Sequence, residues 1–317
     1  MTSTHKVEVV AVTLQDHPNA DTLSVVKVFG YSVCVRTEDW QGVDKGAYIP
    51  PDSIVPDLPE YEFLGKHKRI RVKRLRGVIS MGMLMPAPEG SELGDDVAKQ
   101  MQVTHYEPSM TFRSGGDSET PPQIYSPKYD VETFYRYPEL IKPGEMVVAT
   151  EKIHGANARF VWFEDRMWCG SKTTWRKQDE SSAWWKALKF NTSLENFCKE
   201  NPGIVVYGEV YGPVQKLKYG TASQIKVAVF DLLRKDEWIP YLEAKKLAPG
   251  LDWVPEIYVG PFDEEKMRAL ADGQSLIKTA DHVREGIVVK PLEERQDLQI
   301  GRVQLKLVSN AYLEKAS

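Results

Sequence analysis

Glu151-Lys152-Ile153-His154-Gly155-Ala156-Asn157 follows the β-like run Val147-Val148-Ala149-Thr150. The order is strand, lysine, glycine turn, amide side chain. A lysine beside a tight glycine turn can act as an amine nucleophile, provided it is neutral when it attacks. Neighbouring cations favour the neutral form, and Lys172, Lys290 and Lys306 are the candidates. Four further segments follow in order, each at the end of a β-like run. They are Tyr207-Gly208-Glu209-Val210-Tyr211-Gly212, Val229-Phe230-Asp231-Leu232, Arg284-Glu285-Gly286-Ile287-Val288-Val289-Lys290 and Val303-Gln304-Leu305-Lys306-Leu307-Val308-Ser309. One Lys-x-x-Gly is a chance event; five such segments in order are not.

These residue types suit one kind of chemistry. The cations that would keep Lys152 neutral would also hold a triphosphate. Glu209 and Glu285, isolated on strands, suit a hydrated Mg²⁺ or Mn²⁺, hard ions that take few carboxylates and keep their waters. Phe230 ends an apolar strand and can stack on a purine; without its neighbours in the motif it would read as core. Lys290 and Lys306 would otherwise be ordinary strand-end charges. An in-line nucleophile, cations on non-bridging oxygens and a metal are what phosphoryl or nucleotidyl transfer needs. His154 has no partner legible in the sequence.

Around these segments, strands and helices mix. Further strands are expected at 205–207, 226–230 and 286–290, and helices at roughly 180–199, 242–248 and 263–271. Trp184, Trp185, Leu188, Leu194 and Phe197 read as a helix core. Residues 111–128 contain two glycines, three prolines and three serines, the composition of a linker or long loop. Before them, Val7–Val12, Leu23–Val28 and Tyr31–Val35 are short β-branched runs punctuated by turn residues. About 110 residues of short strands suggest a small closed barrel. The expected class is α+β, with domains at 1–110 and 131–317 and a linker at 111–130.

The first half carries a dense basic run. Residues 65–76 hold seven Lys/Arg (Lys66, Lys68, Arg69, Arg71, Lys73, Arg74 and Arg76) and no acid. Ile70 and Val72 alternate with Arg69, Arg71 and Lys73, so a strand here would bury one edge and line cations along the other. That row suits a phosphate backbone; the alternative is a solvated edge strand protected by charge.

The whole chain of 317 residues, at a prior of roughly 150 per domain, is long enough for two domains. Its formal net charge of −4 excludes nucleic-acid coating by bulk charge, so any such site is a local patch. The three cysteines, Cys34, Cys169 and Cys198, form no Cys-x-x-Cys pair, which points to a reducing, cytoplasmic setting. No signal-peptide core or apolar run of about 20 residues is present. The sequon at Asn191 is expected to be inert without secretion. Nothing implies a membrane or a protein partner.

His17-Pro18-Asn19-Ala20-Asp21-Thr22-Leu23 and Arg76-Gly77-Val78-Ile79-Ser80-Met81-Gly82-Met83-Leu84 resemble the tRNA-binding oligonucleotide-binding (OB) barrel of aminoacyl-tRNA synthetases over roughly residues 5–90. The resemblance implies a five-stranded barrel that holds RNA, with His17, Pro18 and Asn19 as a structural turn.

The second half resembles the covalent nucleotidyltransferase superfamily of ATP-dependent RNA and DNA ligases and capping enzymes, most closely the RNA ligases that seal nicked duplex RNA. The barrel in front resembles the subgroup with an N-terminal OB domain. This implies an ATP-grasp-like ligase domain, mixed α/β with antiparallel sheets, joining a 3′-hydroxyl to a 5′-phosphate. By resemblance, Lys152 forms a lysyl-AMP, Asn157 is the motif asparagine and Lys172 reaches the ribose. Glu209 serves ribose and metal shell, Phe230 stacks on adenine, and Glu285 serves the metal shell. Lys290 and Lys306 hold phosphates, and the backbones of Glu151 and Ile153 read the adenine edge. Two positions depart: Gln304 stands where relatives often carry a second basic residue, and Lys172 where arginine is common, giving charge without a bidentate fork. DNA ligases and capping enzymes continue into a C-terminal barrel, for which the eleven residues after Lys306 leave no room. Nothing resembles the module that NAD-dependent ligases use, so ATP is expected over GTP or NAD. The alternatives are a DNA nick ligase, a guanylyltransferase, or a non-catalytic RNA-binding protein with a relic nucleotide fold.

Overall fold

The computed structural model describes residues 5–106 and 118–316. Backbone contacts divide the chain into one unit of residues 1–109 with 313–317, and a second of residues 110–312.

The first unit is built from short antiparallel strands. Leu14–Asp16, Leu23–Val28 and Tyr31–Arg36 form one meander, and Glu8–Ala11, Lys45–Ile49 and Met83–Pro86 form a second sheet. Val26, Val28, Val33 and Val35 close on Trp40, Tyr48 and Leu84, while Val7, Val9, Ala47 and Ile49 close on Tyr61 and Ile70. β-Branched residues at alternate positions supply both cores. His17 and Asn19 are structural: His17 Nε2 lies 3.1 Å from Leu75 O, and Asn19 Nδ2 donates to Arg76 O at 2.9 Å. They fasten the hairpin of Lys73–Leu75 and Val78–Ser80.

The second unit has two sheets. The seven-stranded sheet runs, edge to edge, Ser118–Glu119, Trp175–Arg176, Arg166–Ser171, Ala156–Phe163, Ile204–Tyr211, Lys226–Arg234 and Glu237–Trp238, all antiparallel. The five-stranded sheet runs Glu132–Thr133, Leu305–Val308, Gly286–Pro291, Met146–Glu151 and Glu256–Pro261. It is antiparallel except where Glu132–Thr133 lies parallel to Leu305–Val308.

Helices Ala183–Phe190 and Thr192–Glu200 cover the larger sheet, burying Trp184, Leu188, Leu194 and Phe197 against Phe160, Val206 and Val229. The expected single helix over 180–199 is thus two. Asn191 adopts a non-helical conformation between them, and its side-chain amide donates to Ala187 O. Helix Glu264–Ala271 starts at Asp263, whose carboxylate accepts the Lys266 N–H, and covers the smaller sheet through Met267 and Ala271.

The expected linker differs from the structure over 118–130; its residues 111–117 lie outside the described residues. Ser118–Glu119 pairs with Trp175–Arg176. Farther on, the Ser126 and Pro127 carbonyls accept from Arg159 Nη1 (2.7 Å) and Tyr207 Oη (2.9 Å), and Tyr129 is buried in an aromatic cluster. Proline and serine content marked the lack of regular structure, but buried side-chain donors and the apolar Ile124, Tyr129 and Val131 fix the segment in place. Among the described residues no helix is long and apolar enough to cross a membrane.

Candidate active site

Side-chain alternation determines which face of each sheet forms the site. On Met146–Glu151 and Gly286–Pro291, Val147, Ala149, Ile287 and Val289 enter the core under helix Glu264–Ala271. Thr150, Val288 and Lys290 therefore take the opposite face, where Lys306 stands beside Val288. On the larger sheet, Ala156, Ala158, Val210 and Val227 enter the helical core. Asn157, Glu209 and Ala228 take the other face, with Asn157 directly opposite Glu209 and Glu209 opposite Ala228.

Lys152 sits on the turn that joins the two sheets. Its backbone N–H donates to Gly286 O at 2.9 Å, and its ammonium donates to Glu285 Oε1 at 2.5 Å. Gly155 is sterically required, since a Cβ there would fall 2.2 Å from Val210 O. The Glu151 carboxylate accepts from Ser275 Oγ (2.6 Å) and the Leu276 N–H (2.7 Å), while the Glu151 N–H donates to Pro255 O. Its N–H is therefore committed within the protein. Ile153 is buried against Tyr211, Tyr219 and Val254.

The electrostatics also differ from the expectation that cations surround Lys152. Burial lowers the Lys152 amine, but Glu285 and Glu209 outweigh it and leave the amine above the ordinary lysine value. Burial raises the Glu285 carboxyl, yet Lys152 and His154 bring it down to about 2. Burial pushes Glu209 up to about 8 despite the pull of Lys152, with Glu285 adding to the rise. Of the expected cationic neighbours, Lys306 is coupled to the lysine: burial lowers the Lys306 amine, and Lys152 lowers it further. Lys172 pairs instead with Asp130. Lys290 is buried in an ion cluster with Asp231, which Arg302 completes from the other side at 2.8 Å.

Phe230 is placed by a β-bulge. Tyr207 pairs with Asp231 and Gly208 with Val229, so Phe230 is the extra residue of its strand. A bulge breaks the alternation and puts two consecutive side chains on one face. Phe230 is partly buried between the two apolar clusters on the site side, 4.5 Å from the Tyr129 ring centroid. Asp231, 1% exposed, pins the same face to Lys290 and Arg302. Asn157 Oδ1 is buried with no hydrogen-bond partner among the described residues, an orphaned acceptor that a ligand hydroxyl or amino group would satisfy. Gln304 is buried away from the phosphate role of a basic residue: Nε2 donates to Asp130 O (2.9 Å), and Oε1 accepts from Tyr129 Oη (2.7 Å).

Sequence reasoning missed four residues. His154 lies 3.1 Å from Glu285 Oε2 and 3.3 Å from the Tyr312 hydroxyl, partners distant in sequence. Tyr129 comes from the stretch that read as linker, and Tyr219 from one that none of the quoted segments covers. Asp231 stood inside a recognised segment, but its cationic partners lie 59 and 71 residues away.

The basic run of the first unit is only partly strand. Within it Lys73–Leu75 is a strand, and Arg69 makes an isolated bridge to Ile54. Ile70 and Val72 are buried as the alternation requires. Acids from elsewhere in the unit neutralise part of the run: Lys68 pairs with Asp57 at 3.0 Å, and Arg69 with Asp52 at 2.5 Å. Arg74 pairs with Glu314. Lys66, Arg71, Lys73 and Arg76 remain exposed.

The profile of the RNA ligase family matches residues 145–308, and that of an OB-fold domain matches residues 4–87. No curated protein matches the chain. Among solved structures, a Naegleria gruberi RNA ligase point mutant with AMP and Mn superposes with a TM-score of 0.84 at 23% identity, covering 98% of both chains. The same organism's RNA ligase with PPi gives 0.84 at 24% identity over 99% of both chains. A point mutant with ATP and Mn gives 0.82 at 23% over 98% of both. These likenesses establish the α+β architecture with its N-terminal OB domain. The family profile covers more than half of the sequence, from the strand before Lys152 to the strand of Lys306, and the chain belongs to the RNA ligase family.

Proposed function

We propose that this RNA ligase uses ATP to join RNA 3′-hydroxyl and 5′-phosphate ends at nicks, through a covalent AMP on Lys152. The observation that carries the reading is Lys152 Nζ at 2.5 Å from Glu285, with Glu209 and Lys306 electrostatically coupled to it. The similar Naegleria gruberi enzymes bound to ATP, AMP and Mn support a nucleotide in this place.

In the first step the Lys152 ammonium passes a proton to solvent, and the neutral amine attacks the α-phosphorus of ATP. A P–N bond forms, the P–O bond to the β-phosphate breaks, and pyrophosphate leaves. In the second step the RNA 5′-phosphate attacks the adenylate and frees Lys152. In the third the 3′-hydroxyl attacks that activated phosphate, and AMP departs. Splitting the reaction stores activated AMP on the protein until an end arrives. Phe230 offers a face to the base, Asn157 Oδ1 an acceptor, and Lys172 a cation for the ribose. Lys306, with Lys290 deeper on the same face, contributes positive charge toward the phosphates.

The donor set fits a divalent ion. Burial, with a smaller contribution from Glu285, leaves Glu209 raised to about 8 despite Lys152, and a hard cation held by the two carboxylates would offset that cost. Glu209 and Glu285 are too few for an all-protein cage and suit Mg²⁺ or Mn²⁺ with water ligands. When bound, such an ion offsets negative charge on the phosphates.

The exposed Lys66, Arg71, Lys73 and Arg76 of the OB domain, with contributions from Lys68, Arg69 and Arg74, would contact the RNA backbone. A cytoplasmic setting suits the three free cysteines. The test is sealing of a nicked RNA duplex with ATP, run beside GTP and beside a DNA nick. RNA sealing with ATP supports the reading. DNA-only sealing indicates a DNA ligase, transfer from GTP a guanylyltransferase, and RNA binding without any adduct a non-catalytic binder.

A further inference from the structure

Tyr219 lies on the loop between strands Ile204–Tyr211 and Lys226–Arg234, 67 residues after the nucleophile in sequence. A tyrosine on a connecting loop is ordinarily at the surface, yet this one is 0% exposed. Its ring meets Tyr211 edge-on at 5.2 Å and His282 at 4.6 Å. The backbone is bent to bring it there: Tyr219 has φ +54°, Gly220 +62° and Ala222 +53°. A non-glycine residue in the left-handed region is strained and persists only where surrounding contacts impose it. Thr279 Oγ1 imposes it by donating to Tyr219 O at 2.6 Å. Gly220 allows the approach, since a Cβ there would sit 1.9 Å from Thr279 O.

The consequence of this arrangement is a single hydrogen bond. The backbone N–H of His154, two residues after Lys152, donates to Tyr219 Oη at 2.6 Å. The turn is also held by Gly286 O at Lys152, by the burial of Ile153, by the His154 ring against Glu285 and Tyr312, and by the packing of Gly155 on Val210. Without the phenol, the His154 N–H loses its acceptor, and the middle of the turn is held by side chains alone. We propose that Tyr219 is a positioning residue that holds the nucleophile's turn in the conformation from which Lys152 attacks in line. The inference rests on the reading of Lys152 as the adenylylated residue. It goes beyond that reading by assigning the strained loop 212–224 a part in the first step.

The test uses the full chain and α-labelled ATP under single-turnover conditions. It compares wild type with Tyr219→Phe, which keeps the ring and removes the hydroxyl, and with Thr279→Val, which loosens the loop and leaves the hydroxyl in place. Both the rate constant of adduct formation and the final adduct per protein are read. Displacing a reacting group by about 1 Å costs on the order of a hundredfold, so Tyr219→Phe is expected to lower the rate constant at least tenfold. Its adduct stoichiometry and the ATP concentration for half-maximal rate should stay within twofold of wild type. Thr279→Val should fall between the two. A role confined to packing would lower the stoichiometry and leave the rate constant of the folded fraction unchanged, and that result overturns the proposal. Should Tyr219→Phe fail to fold, a Thr279→Val rate constant equal to wild type overturns it as well. Wild-type protein that forms no adduct would reject the parent reading, an outcome separate from a variant that reacts as fast as wild type.

Discussion

Replacing Gly155 with alanine perturbs the backbone geometry of the Lys152 turn without removing a charged group. The added Cβ would lie 2.2 Å from Val210 O and 2.9 Å from Glu209 Cγ, where 3.0 Å is the shortest contact Cβ atoms tolerate. Something must therefore move by at least 0.8 Å. Val210 belongs to a central strand of the seven-stranded sheet, paired on both sides by Ala156–Phe163 and Lys226–Arg234. The sheet resists displacement more than a four-residue turn does, so the turn yields and Lys152 shifts with it. Overpacking of this kind costs about 1–3 kcal/mol, which a thermal melt reads as a loss of roughly 2–4 °C per kcal/mol. Misplacement of the amine by about 1 Å is expected to slow adenylylation on the order of a hundredfold. The assay is transfer of label from α-labelled ATP to protein, well below the melting temperature, with circular dichroism to confirm folding. A folded Gly155→Ala protein that adenylylates within threefold of wild type would refute the reasoning.

Asp231→Asn leaves the buried cations of Lys290 and Arg302 without their counter-charge and should destabilise the protein by about 3–5 kcal/mol at pH 7, measured by denaturant midpoint. Burial raises the Asp231 carboxyl, but Arg302 and Lys290 bring it down to about 2 from an ordinary value of 3.8. Its contribution is therefore complete above pH 3.8 and is lost as pH falls toward 2, so the gap between wild type and variant should close on acidification; a gap independent of pH would contradict this. Phe230→Ala should raise the ATP concentration for half-maximal adenylylation about tenfold, within the roughly 1–3 kcal/mol of a base stack, and an unchanged value would remove Phe230 from the base site. Arg71→Ala with Lys73→Ala should lower the salt dependence of RNA binding by close to two counterions, at about 0.9 per phosphate contact, whereas Asp52-paired Arg69→Ala should lower it by less. A drop of about one counterion for Arg69→Ala alone would show that the ion pair does not matter to RNA contact.

Local pattern carried much of the architecture. The β-like runs at 147–150, 205–207, 226–230 and 286–290 are strands because short, continuous β-branched runs suit sheets covered on both faces. The resemblance in the five segments led to the right family because each segment is short and self-contained. Pairings across the chain were not legible. Lys172, Lys290 and Lys306 looked equivalent as cations, but Asp130 holds the first and Asp231 the second, and only tertiary structure brings those acids near. The same holds for Lys68 and Arg69, neutralised by Asp57 and Asp52. Residues 118–130 read as linker because composition reports the absence of regular hydrogen bonding, not the presence of side chains such as Arg159 that take over the backbone carbonyls. The Phe230 bulge was invisible for a related reason: an extra residue in a strand is defined by its partner, and the partner strand is not adjacent in a residue's own sequence.

The central claim is that Lys152 carries AMP before any RNA arrives. Incubation with ATP and a divalent metal, followed by proteolysis and mass spectrometry of the peptide spanning residues 151–157, measures it directly. The account predicts one AMP on the Lys152 side chain in the absence of RNA, discharged when a 5′-phosphorylated nick is added. An adduct on a different residue, or a Lys152→Ala protein labelled to the wild-type extent, would contradict it.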